Sequence, residues 1–272
     1  MSPAALAGLP LFESITGLLA RFPFERLPDA AALTALLAEV APDATAGSGL
    51  PIRFTLPPAG DIAYEQLIHA TGQVPTRADD WHDFFNALAW CVWPTSKAAC
   101  NGLHLCEQQA REAAGLPGRG PLRDALTQFD ECGIVVVSTD PQIPALLARH
   151  EGEDAFWRHR QRLVDTTRFL IFGHGSWDQL RAPFVGLCAK ALYRVVEPGW
   201  LDMPDADRQR ETDVWLAARL TRQAFGKADL FPLPLLGVPG VTPDNAAPEY
   251  YRDTRQFRPL RAGHRTDMHT RL

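Results

Sequence analysis

Seven polar side chains in this sequence have the types and spacing that chemistry needs. They are Arg77, His82, Asn86, Lys97, Asn101, Glu131 and His174, with His104 beside them. Five of the seven, and His104, fall in one stretch, Val74–His104, VPTRADDWHDFFNALAWCVWPTSKAACNGLH. A set of histidines and carboxylates can activate water with or without a metal. His82, His104, Glu131 and His174 are the candidate metal ligands, because imidazole and carboxylate donors suit zinc, manganese or iron. His82, Glu131, Lys97 and His174 are the candidate catalytic groups. Arg77, Asn86 and Asn101 are the candidate ligand-binding groups, with Arg77 and Lys97 supplying positive charge for an anionic part of a small-molecule substrate.

Each assignment has a plainer counterpart. His82 and Asp83 are adjacent as in the His-Asp metal phosphohydrolases, but Asp83 is also explained as a helix-start residue and no clean later Asp ligand follows. There is no HExxH and no pair of CxxC motifs, so no metal spacing is diagnostic. Gly173-His174-Gly175-Ser176-Trp177 sits between a strand and a helix, yet its glycines and serine are out of order for a nucleophile elbow. It remains a turn whose N–H groups could face an anion. Lys97 has an alternative as an ion-pair partner of Asp83 or Glu131. Asn86 and Asn101 are harder to explain as bystanders, since asparagine disfavours helix interiors unless its amide is bonded. Trp90 and Trp93 read as core.

The elements that must position these groups follow from caps and periodicity. Asp80 predicts an N-cap for the helix WHDFFNALAWCVW, which Pro94 ends. Thr95 predicts the cap of the next, from Ser96 to Ala114, placing Lys97, Asn101 and His104 on one stripe. The two make a helical hairpin, and facing polar stripes would bring His82, Asn86, Lys97, Asn101 and His104 together. LPGRGPLR reads as loop and FDE as a turn. Ile134–Ser138 and Phe169–Phe172 read as strands. Helices are expected from Pro141 to Glu151, Asp154 to Val164, Trp177 to Val196 and Asp205 to Phe225. Upstream, Asp29 predicts the cap of AAALTALLAEVA, IRFTL reads as a short strand, and a helix covers Tyr64 to Ala70. The fold class is α+β: a predominantly helical single domain with a small β-sheet and an extended C-terminal tail. Residues 1–60 are expected as an arm packing on the body, 61–260 as the main domain, and 261–272 as a basic end.

Composition narrows the function classes. A net charge of −5 over 272 residues offers no general partner for a phosphate backbone, so general nucleic-acid binding is not expected. No stretch of about 18 apolar residues is present, so no membrane span is expected. The N-terminus lacks the features of a signal peptide, which points to a soluble, cytoplasmic protein whose five cysteines are reduced thiols. Oligomeric state leaves no trace in the sequence.

VPTR, WHDFFNALAW, WPTSK, NGLH, FDE-x-G, FGH, LPLLGVPG and FRP occur here in that order, from about Tyr64 to Pro259. In this the chain resembles the bacterial domain-of-unknown-function 3025 family. The resemblance implies a family pattern that includes Arg77, His82, Asp83, Asn86, Lys97, Asn101, His104, Asp130, Glu131 and His174, and it carries no activity, cofactor or substrate. The expected function is a generic hydrolase with a pocket on the 82–104 hairpin, closed by the FDE and GHG turns, with a divalent metal as candidate cofactor. The alternative is a non-catalytic ligand-binding or protein-interaction protein whose polar network is structural.

Overall fold

The computed structural model describes residues 1–60, 62–222 and 225–260. In chain order its helices and strands are α1 (Thr16–Leu19), α2 (Ala30–Val40), β1 (Arg53–Thr55), α3 (Tyr64–Thr71), β2 (Gln73–Pro75), α4 (Trp81–Val92), α5 (Pro94–Ala113), α6 (Pro121–Cys132) and β3 (Gly133–Ser138). They continue with α7 (Gln142–Ala148), α8 (Arg160–Thr166), β4 (Thr167–Ile171), α9 (His174–Leu180), β5 (Cys188–Val195), α10 (Asp205–Thr221) and β6 (Phe231–Pro234). The class is α+β, as the sequence implies. The proposed basic end, 261–272, lies outside the described residues.

β3 is buried at every position, as a β-branched run covered on both faces must be. It lies inside a four-stranded mixed sheet ordered β4–β3–β5–β6. β3 pairs antiparallel with β4 and parallel with β5, and β5 pairs antiparallel with β6. Two of these strands correct the sequence reading. The stretch assigned to a helix from Trp177 to Val196 breaks at Leu180 and resumes as β5, because both edges of Cys188–Val195 find strand partners. Tertiary pairing overrides the local alanines there. The tail supplies β6, whose prolines are tolerated because it is an edge strand bonded only to β5.

α4 and α5 meet at a single residue, Trp93, since Pro94 cannot continue α4 but suits the first position of α5. Thr95 does not cap α5. The free N–H groups of Thr95 and Ser96 donate instead to the Asp213 carboxylate of α10, at 2.9 and 2.8 Å. Residues 121–132, read partly as loop and partly as a turn, form α6 entered through Gly120 at φ 82° and Pro121. The stretch after Asp154 divides into a π-helical turn, Glu153–Arg158, and α8.

Trp90, Trp93 and Trp177 are fully buried. The Trp93 indole N–H donates to the Ile171 carbonyl at 2.8 Å, tying the end of α4 to the end of β4. The Trp177 indole N–H donates to the Leu11 carbonyl at 2.9 Å, and the rings of Phe12 and Phe85 pack 6.1 Å apart. Residues before β1 therefore share the core of the helical layer. No helix among the described residues is long and apolar enough to cross a membrane.

Candidate metal centre

His82 enters from the first turn of α4. That turn is fixed by Asp80, whose carboxylate accepts the Asp83 N–H at 3.0 Å. Asp83 in turn accepts the Arg77 backbone N–H at 2.7 Å and two guanidinium N–H bonds at 2.8 Å. Arg77 also pairs with Asp80 at 3.1 Å. The guanidinium expected to hold a substrate anion is thus engaged with two carboxylates at the helix start. Glu131 comes from the last turn of α6, not from a turn, and His174 is the first residue of α9.

These three elements bring His82, Glu131 and His174 together. The two histidine Nε2 atoms stand 3.0 Å apart, and Glu131 Oε1 lies 3.7 Å from the first and 3.8 Å from the second. Three ligands at about 2.0–2.2 Å from a tetrahedral ion stand about 3.3 Å from one another, so the donors fit one ion with small adjustment. His82 is 36% exposed and Glu131 47%, while His174 is 6% exposed, so the cluster is open on one side and anchored on the other. His104 is not a member. Among the described residues the clustered donors are these three, within 4.8 Å of one another.

His104 is buried elsewhere in the same polar region, with an Nδ1 that has no hydrogen-bond partner. Burial pulls its pKa down to about 4 against the attraction of Asp130, with Arg123, Arg119 and Lys97 adding to the fall. Burial also pulls His174 down to about 3, so its ring is neutral and keeps a lone pair for a metal. The His174 Nδ1 is buried without a hydrogen-bond partner, and Asp130 Oδ2 stands 3.8 Å from it, on the side from which a carboxylate could orient a metal-bound imidazole after a small closure.

Behind the cluster lies a connected polar network. Lys97, 4% exposed, donates to Asp130 at 2.6 Å and to the Asn86 amide oxygen at 2.9 Å. It is thus the partner of Asp130, and not of Asp83 or Glu131. Burial alone would raise the Asp130 carboxyl, but the Lys97 ammonium holds it below the usual range. Asn86 donates onward to the Tyr64 hydroxyl at 2.7 Å. Tyr64 is 38% exposed as a residue, yet its hydroxyl is the enclosed end, and burial pushes that hydroxyl's pKa well up. Asn101 donates to the Glu65 carbonyl at 2.9 Å and carboxylate at 2.7 Å, and accepts the Gly47 N–H at 3.1 Å. Each helical asparagine thus has the partners it needs, but the polar stripes of α4 and α5 meet only at Asn86 and Lys97. Tyr64 and Glu65 escaped the sequence reading. The unexplained asparagines were the signal that such partners exist.

Two glycines let the cluster form. A Cβ on Gly173 would lie 2.3 Å from the Gly133 nitrogen and 2.5 Å from that of Cys132. A Cβ on Gly175 would lie 2.8 Å from Glu131 Oε2 and 2.9 Å from the Glu131 carbonyl. The backbone around His174 can therefore press against the end of α6, which places His174 beside Asp130 and Glu131.

The model of the family described as "Protein of unknown function (DUF3025)" matches residues 52–261. The chain belongs to the DUF3025 family. No curated protein and no solved structure matches it. The DUF3025 span contains β1 to β6, all three clustered donors and the network behind them, while α1 and α2 lie upstream of it.

Proposed function

We propose that this protein is a metal-dependent hydrolase whose divalent ion is held by His82 Nε2, His174 Nε2 and Glu131 Oε1. The single observation that carries this reading is the mutual approach of three donor atoms from three elements far apart in sequence. Two imidazoles and one carboxylate suit zinc, manganese or iron and leave positions free for water and substrate. Such an ion supplies Lewis acidity and an activated water at neutral pH.

The chain's own groups divide the remaining work. His174 is kept neutral by burial, and Asp130 stands on its Nδ1 side at 3.8 Å, from where a small closure would let it orient the ring. Lys97 compensates the Asp130 charge, and Asn86 fixes Lys97, so both are positioning residues. Asn101 ties α5 to α3 and to the segment around Gly47. His82 and Glu131 form the open side through which substrate would enter.

A second reading has its own support: Lys97, Asn86 and Asn101 all find partners inside the protein, which is also what a purely structural network requires. Elemental analysis of purified full-length protein decides between the two. The hydrolase reading expects about one equivalent of zinc, manganese or iron per chain, lost in His82→Ala and His174→Ala with far-UV circular dichroism unchanged. It also expects metal-dependent turnover within a panel of esters, amides and phosphoesters. Protein that takes up none of the three metals on reconstitution, and unfolds on either substitution, would establish the structural network instead.

A further inference from the structure

A cavity of about 660 Å³, which shares no lining residue with the metal cluster, lies where α7, β5, β6 and the C-terminal segment meet. That volume falls in the range of small-molecule sites. Its walls are apolar, with Leu147, Phe156, Leu230 and Phe257 among them. The segment from Arg255 to Leu260 forms part of the lining and is held in place, not draped loosely. Buried Gln256 accepts the Gly186 N–H at 2.5 Å and donates to the Leu187 carbonyl at 3.3 Å. His150 Nδ1 lies 2.9 Å from the Arg258 carbonyl, and Phe257 packs on Phe156 with ring centroids 6.4 Å apart.

The cavity is lined by several cations, and they are not equivalent. Lys227 pairs with Asp124, and Arg255 with Asp253. Lys190 and Arg258 have no side-chain hydrogen bond or ion pair among the described residues. Lys190 is half-buried on β5, between strands β3 and β6. Both cations lie near Cys188 on the same wall, close enough for their charges to draw its thiol pKa downward.

We propose that this cavity binds an amphipathic anion, with an acyl or aryl body among Leu147, Phe156, Leu230 and Phe257 and a carboxylate or phosphate head at Lys190 and Arg258. The apolar lining accounts for the body, and the half-buried Lys190 and exposed Arg258, unpaired among the described residues, account for the head. A charged head on a hydrogen-bonding cation adds more than a neutral one does. The lining shares no residue with the metal cluster, so binding is expected to be independent of metal content.

Calorimetric titration of the full-length protein tests it, with dodecanoate, dodecyl phosphate, dodecanol and dodecyltrimethylammonium as probes. At least one of the two anions is expected to bind saturably at one site per chain, and dodecanol about tenfold or more weaker. Which anion binds tighter distinguishes a carboxylate from a phosphate ligand. Lys190→Met and Arg258→Met, each folded by circular dichroism, are expected to remove the preference for anion over alcohol, and protein treated with chelator to retain it. Absence of saturable binding of both anions overturns the proposal. So does equal binding of all four probes, or an anion preference that survives both substitutions together.

Discussion

The Nε2 atoms of His82 and His174 stand 3.0 Å apart across 92 positions of sequence. His174 is neutral, and with its proton on Nδ1, the side that faces Asp130, its Nε2 lone pair points at His82. Either His82 donates its Nε2 proton there or an ion shared by both takes its place. A metal there would resolve the contact and engage Glu131 at the same time.

Metal content should therefore follow cluster membership and not histidine count. His82→Ala, His174→Ala and Glu131→Gln are each expected to weaken zinc or manganese binding by about tenfold or more, while His104→Gln leaves the stoichiometry unchanged. Elemental analysis after gel filtration measures this. Loss of metal in His104→Gln alone would remove the three-donor assignment.

Gly175 and Gly173 should fail in different ways. Gly175→Ala pushes a methyl onto the Glu131 carboxylate, an end that can move, and against the Glu131 carbonyl, which is backbone, so metal affinity should fall together with some stability, less than at Gly173. Gly173→Ala meets backbone nitrogen atoms, which cannot give way, and is expected to cost about 1–3 kcal/mol or more of stability. Urea denaturation of the two apo variants, set beside their metal titrations, separates the effects.

Removing Lys97 strands a buried carboxylate. Lys97→Met is expected to destabilise the protein by about 3–5 kcal/mol, and adding Asp130→Asn to recover much of that. A double-mutant cycle on thermal or urea unfolding reads the coupling. Equal, additive losses would show that the pair does not act as a unit.

His104 should give the apo protein an acid-sensitive limb. Its folded pKa is about 4 against an ordinary 6.5, so the unfolded chain binds a proton that the folded chain refuses. Stability from this group is fully present above about pH 6.5 and declines as pH falls toward 4. Asp130, Arg123, Arg119 and Lys97 face it. The raised carboxyls of Glu65 and Asp213 act in the opposite sense, gaining stability as they protonate in the fold. The difference between wild type and His104→Gln isolates the histidine: the variant should show the shallower fall in urea midpoint over that range.

Asp213 caps α5 from another helix. Asp213→Ala is expected to cost about 1–2 kcal/mol, since it leaves the Thr95 and Ser96 N–H groups without their acceptor, and Asp213→Asn should restore part of it. Thermal midpoints of the two variants measure this. No difference between Ala and Asn would mean that the carboxyl contributes nothing as a cap.

What the sequence disclosed about the fold was local. Asp80 capping α4, Asp29 capping α2 and the β-branched run of β3 are each written in neighbouring residues. Asp213 capping α5 joins positions 117 or more apart, and no local pattern announces it. β5 was hidden for the same reason, because its strand character comes from β3 and β6. Donor chemistry picked out His82, Glu131 and His174, but it admitted His104 on equal terms. Helical spacing places side chains on a stripe without saying what faces that stripe. Arg77 shows the same limit, since its carboxylates became visible only when the chain turned back on itself.

The hydrogen bond from Trp177 to Leu11 has a practical meaning for anyone trimming this chain. The family match begins at residue 52, but Leu11 and Phe12 contribute to the packing around α4 and α9, which carry His82 and His174. Recognisable ancestry and structural integrity thus have different borders here. A fragment cut at the family edge would keep every candidate metal donor and lose the material that seats two of them.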